Sequence, residues 1–338
     1  MLKEVFKVLR EIKVNQADIV SLKWISEVYF EKDELKILLK IPKEYLIYVD
    51  EISNSIKKAL KEKLNIEKVE ILASEKLKLK DNIFNPQKIE GVKKIVGIAS
   101  GKGGVGKSTI AINLAVSLAK RNYNVGLFDA DIYGPSAGRL LGIEKRILKV
   151  SPENKFIPIE NFGIKIVSFS NLLNEGVPVI WRGSIAHKAF SDLLFNTNWG
   201  NLDYLIVDFP PGTGDIQLSI CQLVSLNGVI IVTTPQKVSL DDVRRAINAF
   251  NKLEVEIIGI VENMSYILDT CKNKIYIFGK DGGKILSQEF EIPLICQIPL
   301  DPKFLELSDN GVPFVVNEPE NELQEEIIKS FDRIIEFL

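Results

Sequence analysis

Short, almost uninterrupted apolar runs recur along most of the chain. Ile95-Val96-Gly97-Ile98-Ala99, Val125-Gly126-Leu127-Phe128, Ile164-Lys165-Ile166-Val167, Tyr204-Leu205-Ile206-Val207, Val229-Ile230-Ile231-Val232, Ile257-Ile258-Gly259-Ile260-Val261 and Leu294-Ile295-Cys296 are mostly β-branched, and helix-length segments separate them. Such runs predict strands buried on both faces, and their spacing predicts a mainly parallel sheet covered by helices on both sides. Ligands of a sheet of this kind sit at the carboxyl ends of its strands. Residues 322–338 place Ile327, Ile328, Phe331, Ile334, Ile335 and Leu338 on one side of a helix whose other side is mixed and partly acidic. That pattern predicts packing on the sheet, with no attachment to a membrane.

Residues 1–75 follow a different rhythm and read as a small α/β domain. Val5, Leu9 and Ile12 are near helical spacing, residues 34–41 form an apolar strand ended by Pro42, Ile52, Ile56, Leu60 and Leu64 mark one face of a helix, and Val69-Glu70-Ile71-Leu72 closes the module as a strand. Residues 76–92 are lysine-rich, contain Asn82, Asn85 and Pro86, and show neither period, so they read as a linker. Residues 93–338 form the main domain.

Composition narrows the chemistry. With 46% hydrophobic and 26% charged residues among 338, the chain can bury a core, and a net charge of −2 leaves no global basic field for nucleic acid or anionic lipid. No apolar run reaches the ~18–20 residues that span a bilayer, and the amphipathic start MLKEVFKVLREIK lacks the core of a signal peptide, so the expected compartment is the cytoplasm. Three cysteines make no disulfide framework, and the single His187, read as a helix-surface residue, excludes any site built on two histidines of one chain.

Gly101-Lys102-Gly103-Gly104-Val105-Gly106-Lys107-Ser108 fits G-x-x-x-x-G-K-[ST], directly after the first strand of the main domain and before a helical pattern beginning at Thr109. Its glycines let backbone N–H groups converge on phosphate oxygens, the following helix adds its positive end, Lys107 bridges the β- and γ-phosphates, and Ser108 offers a hydroxyl to magnesium. Tyr204-Leu205-Ile206-Val207-Asp208 ends a strand on a carboxylate suited to magnesium, and Phe209-Pro210-Pro211-Gly212-Thr213-Gly214-Asp215 continues it with Gly212 N–H placed to sense the γ-phosphate. Asp129-Ala130-Asp131 ends the earlier run at 125–128, with Asp131 expected to orient or activate the attacking water and Asp129 nearer the magnesium and the loop framework.

GKGGVGKST, DADIYGPS (129–136) and DFPPGTGD (208–215) together resemble the deviant Walker A ATPases, P-loop NTPases such as MinD and nitrogenase iron protein. Trp181-Arg182-Gly183, Thr233-Thr234-Pro235-Gln236 and Val261-Glu262-Asn263-Met264-Ser265-Tyr266 resemble the Mrp/ApbC branch of iron–sulfur carrier ATPases. The resemblance implies a slow, magnesium-dependent ATPase that dimerises around ATP and passes iron–sulfur clusters to apo-proteins. It further implies that Lys102 reaches the partner's nucleotide in trans and that Asn263 hydrogen-bonds adenine. The N-terminal module resembles the domain that often precedes such ATPases through Asp18-Ile19-Val20-Ser21-Leu22, without the usual Asp-Pro-Glu.

Carriers of this type hold a bridging cluster with a Cys-x-x-Cys pair after Asn-Met-Ser-Tyr, whereas this chain reads Ile267-Leu268-Asp269-Thr270-Cys271-Lys272 there. Three readings stay open. A dimer presents two Cys271 thiolates with Asp269 carboxylates, or Cys271 is a vestige in a cluster-free nucleotide switch, or another protein completes the ligand set. The cluster-free reading corresponds to a positioning or assembly ATPase of the MinD or ParA kind. Cys221 and Cys296 read as core residues.

Overall fold

The computed structural model describes residues 2–338 apart from 15–16, 23, 32–33, 77–85, 133, 173–182 and 213. The chain divides into two compact units, Met1–Phe84 and Asn85–Leu338, each with its own apolar core.

In the first unit, α1 (Leu2–Leu9) and α2 (Val49–Leu64) accompany a sheet of β1 (Ile25–Glu31), β2 (Glu34–Pro42) and β3 (Val69–Lys76). β1 pairs antiparallel with β2, and β2 pairs parallel with β3 after the α2 crossover. The four-residue spacing predicted for α2 is realised, since Ile52, Ile56 and Leu60 are its buried residues, and Asn65 in the left-handed region at φ 54° ends it. Alternation along β2 buries Leu35, Ile37, Leu39 and Ile41. β1 escapes the sequence reading because a register shift between Ile25 and Glu27 breaks its alternation.

The second unit is the expected α/β architecture. Its strands are β4 (Val92–Ser100), β5 (Val125–Asp129), β6 (Ile159–Asn161), β7 (Ile164–Ser168), β8 (Leu202–Asp208), β9 (Gly228–Thr233), β10 (Ile257–Glu262) and β11 (Leu294–Gln297). Among the described residues they form one eight-stranded sheet in the order β6-β7-β5-β8-β4-β9-β10-β11, parallel throughout except for the short edge strand β6. The flanking helices are α3 (Lys107–Lys120), α4 (Ala137–Leu140), α5 (Gly183–Phe195), α6 (Asp215–Leu223), α7 (Lys237–Lys252), α8 (Gly282–Phe290), α9 (Pro302–Asp309) and α10 (Glu322–Glu336). Residues 110–118 of α3 are all buried, as expected of a helix apolar on every side that lies against the centre of a sheet. α10 buries Ile327, Phe331, Ile334 and Ile335, and Asn321 caps its N-terminus by accepting from Gln324 N–H at 3.0 Å.

The segment read as a linker over 76–92 is already anchored from Gln87, whose N–H donates to Leu223 O at 2.8 Å, and Ile89 is buried. No helix among the described residues is long and apolar enough to cross a membrane.

Candidate functional site

Strand order fixes where the chemistry converges. β4 is central, with β8 on one side and β9 on the other, and β5 lies beyond β8. The Gly101–Ser108 loop leaves β4, Asp208 ends β8, and Asp129 ends β5 directly beside it in register. The phosphate loop and both carboxylates therefore share the carboxyl edge that a parallel sheet offers to ligands.

The loop is shaped by close approach and by backbone sign. A Cβ at Gly101 would lie 2.4 Å from the carbonyl carbon of Asp242 in α7, and one at Gly106 would lie 2.3 Å from Asn263 Nδ2. Gly104 and Gly106 have φ of 78° and 83°, a region that glycine enters without a steric penalty. Over Gly103 and Gly104 nothing lies within 4 Å, so the outer rim of the loop is open for an approaching ligand.

Within this frame Lys107 is buried. Its Nζ forms an ion pair with Asp208 Oδ1 and donates to Ser108 Oγ at 3.3 Å. Burial pushes the Asp208 carboxyl up from its ordinary value, while Lys107 and Ser108 pull it back down. Asp208 Oδ2 is buried without a hydrogen-bond partner among the described residues. An orphaned carboxylate oxygen next to a serine hydroxyl is a donor set that fits magnesium, which takes oxygen ligands from one or two carboxylates, water and phosphate.

Asp129 is fully buried and organises the loop that follows it. It accepts from the backbone N–H of Asp131 at 3.2 Å, Ser136 at 3.1 Å and Ala137 at 3.0 Å, and from Ser168 Oγ at 2.9 Å. Burial, with the charge of Asp208 added, pushes its carboxyl up to about 7, against the opposing pull of Ala137 N–H and Lys107. The folded protein thus binds a proton here that the unfolded chain has released above its ordinary value of 3.8. Stability contributed by this group is full below that value and is lost as pH rises through about 7. The unfolding midpoint should therefore fall more steeply between pH 5 and pH 8 in the wild type than in Asp129→Asn. Equal slopes in the two proteins would remove Asp129 as the titrating group. Asp131 is half-buried, accepts from Gly134 N–H at 3.1 Å, and lies close enough to Asp208 to raise its carboxyl further by charge.

Other residues singled out in the sequence are engaged within the chain. Lys102 Nζ donates to Gln236 Oε1 at 3.2 Å. Gly212 N–H donates to Ser100 O at 3.0 Å, so sensing a phosphate requires that bond to be exchanged. Asn263 Nδ2 donates to Val105 O at 2.9 Å and thereby ties the end of β10 to the phosphate loop. Asn263 also lines a cleft of about 320 Å³ together with Gly106, Thr109, Leu140, Met264 and Phe304, an apolar-walled space beside the loop that suits a flat base. Leu140 and Phe304 go unnoticed in the sequence because they sit on the short helices α4 and α9, outside every motif. Ser100 carries no motif of its own at the end of a strand. Gln236 is visible only as part of a family-like segment.

The thiols separate into two kinds. Cys221 and Cys296 are buried in α6 and β11, and burial pushes both up to about 12. Cys271 is exposed at the tip of a hairpin in which Ile267–Leu268 pairs with Lys274–Ile275. Asp269 closes that tip, accepting from Cys271 N–H at 2.8 Å, Asn273 N–H at 2.7 Å and Asn273 Nδ2 at 3.0 Å. Those bonds hold its carboxyl below the ordinary range, led by the Asn273 backbone, and occupy both oxygens with the turn. The reading in which Asp269 supplies iron ligands thus meets a carboxylate already committed. Among the described residues no three His, Cys, Asp or Glu side chains are grouped to hold a metal ion. Trp181 and Arg182 lie outside the described residues; His187 is on α5, its side chain likewise outside them.

The family model ParA, described as NUBPL iron-transfer P-loop NTPase, matches residues 91–335. An iron-sulfur cluster carrier protein of Aquifex aeolicus is 43% identical over 259 residues, which are 75% of this chain and 71% of that protein. The Haemophilus influenzae protein of the same name is 36% identical over 321 residues, 94% of this chain and 86% of its own, so that likeness extends into the N-terminal unit. Among solved structures, a nucleotide-binding protein from Archaeoglobus fulgidus in complex with ADP superposes with a TM-score of 0.59 at 38% identity, over 65% of this chain and 87% of that one.

Proposed function

Because the chain belongs to the ParA family of NUBPL-type iron-transfer P-loop NTPases, we propose that it is a cytoplasmic, magnesium-dependent, homodimeric ATPase that carries iron–sulfur clusters to apo-proteins. The observation that carries the ATPase part is the buried Lys107–Asp208 pair beneath an open glycine rim, with one Asp208 oxygen lacking a partner. Arrival of a polyphosphate offers Lys107 a second anion, and the loop N–H groups and the α3 N-terminus receive the remaining charge. Ser108 and Asp208 would hold magnesium, which when bound neutralises charge that develops on the phosphates. Asp131 orients the attacking water and takes its proton, Lys102 acts on the partner's nucleotide, and Asn263 reads the base while keeping the loop in place. Gly212 exchanges its bond to Ser100 O for one to the γ-phosphate, which gives Gly212 a nucleotide-dependent position.

Cluster carriage rests on family membership and on Cys271, the exposed thiol among the described cysteines. One thiolate per chain becomes two in a symmetric dimer, and the client or a donor protein supplies the rest of the four that such clusters take. Anaerobic reconstitution of the wild type and of Cys271→Ala, with iron and sulfide counted per dimer, tests this. The expected result is loss of nearly all bound iron in the variant; equal iron in both proteins would take Cys271 out of the mechanism. The single exposed thiol is also what favours the second reading, a cluster-free positioning switch, and that reading gains if the wild type takes up no iron while still hydrolysing ATP.

A further inference from the structure

Lys102 is expected to act outside its own chain, yet here its ammonium is held inside it. Three contacts define the hold. Gly101 is pressed against the backbone of Asp242 and Val243, which sets the start of the loop on the first turns of α7. Ser100 Oγ donates to the carbonyl of Lys102 at 2.9 Å, which pins the lysine backbone. The side chain then donates through Nζ to Gln236 Oε1 at 3.2 Å. Gln236 is the N-cap residue of α7 but makes no side-chain capping bond to that helix. Its carbonyl oxygen instead also accepts from Thr234 Oγ1 at 3.3 Å, which orients it towards the lysine. Val238, two residues further on, is 68% exposed, so the arrangement lies next to open surface.

We propose that Gln236 is a positioning residue that latches Lys102 in cis and competes with its reach to a second copy of this chain. The backbone of Lys102 is fixed, so release needs only rotation of the side chain, with no remodelling of the phosphate loop. The interaction to be given up is a single hydrogen bond from a cation to a neutral amide, strong enough to bias the side chain and weak enough to be exchanged for a phosphate. Nucleotide-free protomers thereby keep the cation away from their own phosphate site, and the dimer forms when a partner's nucleotide outbids the amide. This inference rests on the proposed dimeric ATPase, and its test separates the two.

In the first arm, the full-length nucleotide-free protein is treated with an amine-acetylating ester and the rate at Lys102 is read by peptide mass spectrometry. Gln236→Ala should raise that rate roughly three- to tenfold, the span expected when one ordinary hydrogen bond between partly buried groups is removed. Gln236→Glu, which replaces the amide with a carboxylate, should lower it. A rate in Gln236→Ala equal to the wild type overturns the latch whatever the oligomeric state. In the second arm, the protein concentration for half-dimerisation with ATP and magnesium should fall in Gln236→Ala and rise in Gln236→Glu, and both shifts should vanish in a Lys102→Ala background. Shifts that persist without Lys102 also overturn the proposal, because Gln236 would then act through α7. If Lys102→Ala dimerises and turns over like the wild type, the action in trans and the competition fall together, while the labelling arm still reports the hold.

Discussion

Lys107→Ala is expected to lose nucleotide binding by roughly 100-fold or more, on the scale of several hydrogen bonds to a charged ligand lost together. It should also destabilise the nucleotide-free protein. Lys107 is the cation in contact with Asp208, and Asp129 lies beside that carboxylate in the next strand. Removing one member of a buried ion pair costs about 3–5 kcal/mol when the survivor stays charged. Asp208 has an alternative, since burial already raises its carboxyl towards the protonated form. The destabilisation should therefore be smaller at pH 5 and larger at pH 8. A double variant, Lys107→Ala with Asp208→Asn, should recover the thermal midpoint without recovering affinity, because it cures the orphaned charge but restores no phosphate ligand. Titration calorimetry with ATP and melting curves at both pH values read the two effects separately. Unchanged affinity in Lys107→Ala would end the phosphate assignment, and a midpoint that does not recover in the double variant would mean that the pair does more than balance charge.

Asp131 should show the opposite profile, retained binding with lost turnover. General-base assistance is commonly worth about 10²–10⁴-fold, and a loss in that range is expected for single-turnover phosphate release in Asp131→Ala. The alanine also removes the acceptor for Gly134 N–H, so Asp131→Asn is the cleaner variant. The asparagine keeps that acceptor and loses the ability to take a proton. Loss in both variants supports proton transfer, whereas a normal rate in the asparagine variant would reduce Asp131 to a loop anchor.

Much of this fold is legible along the chain because the strands of a doubly covered parallel sheet carry apolar residues on both faces. β4, β5, β8 and β9 are nearly continuous runs for that reason, and turn chemistry and motifs between them locate the carboxyl edge. β1 is not legible in the same way, since its register shift destroys the period that an alternation search relies on. The phosphate loop is legible because all its parts are contiguous in sequence. Contacts that tune it are not. Lys102 and Gln236 are 134 positions apart, and Asn263 and Val105 are 158 apart, so neither pairing follows from spacing. The raised carboxyl of Asp129, unlike its place in the loop framework, is hidden for a different reason. An aspartate at a strand end looks like any turn residue until burial and a second carboxylate reveal that it is held near neutrality.

The uneven exposure of the thiols has a practical use. Cys221 and Cys296 are sealed in the core and held almost wholly as thiols at neutral pH, so alkylating reagents meet Cys271 as the accessible sulfur. The natural sequence thus carries a built-in attachment point for a nitroxide or fluorophore, with no background cysteines to remove. A spin label there would report whether two copies approach when ATP is added, as the proposed dimer requires. With Cys271 as the proposed cluster ligand, protection of the same sulfur from alkylation, followed over time as a client is mixed in, would serve as a clock for cargo leaving.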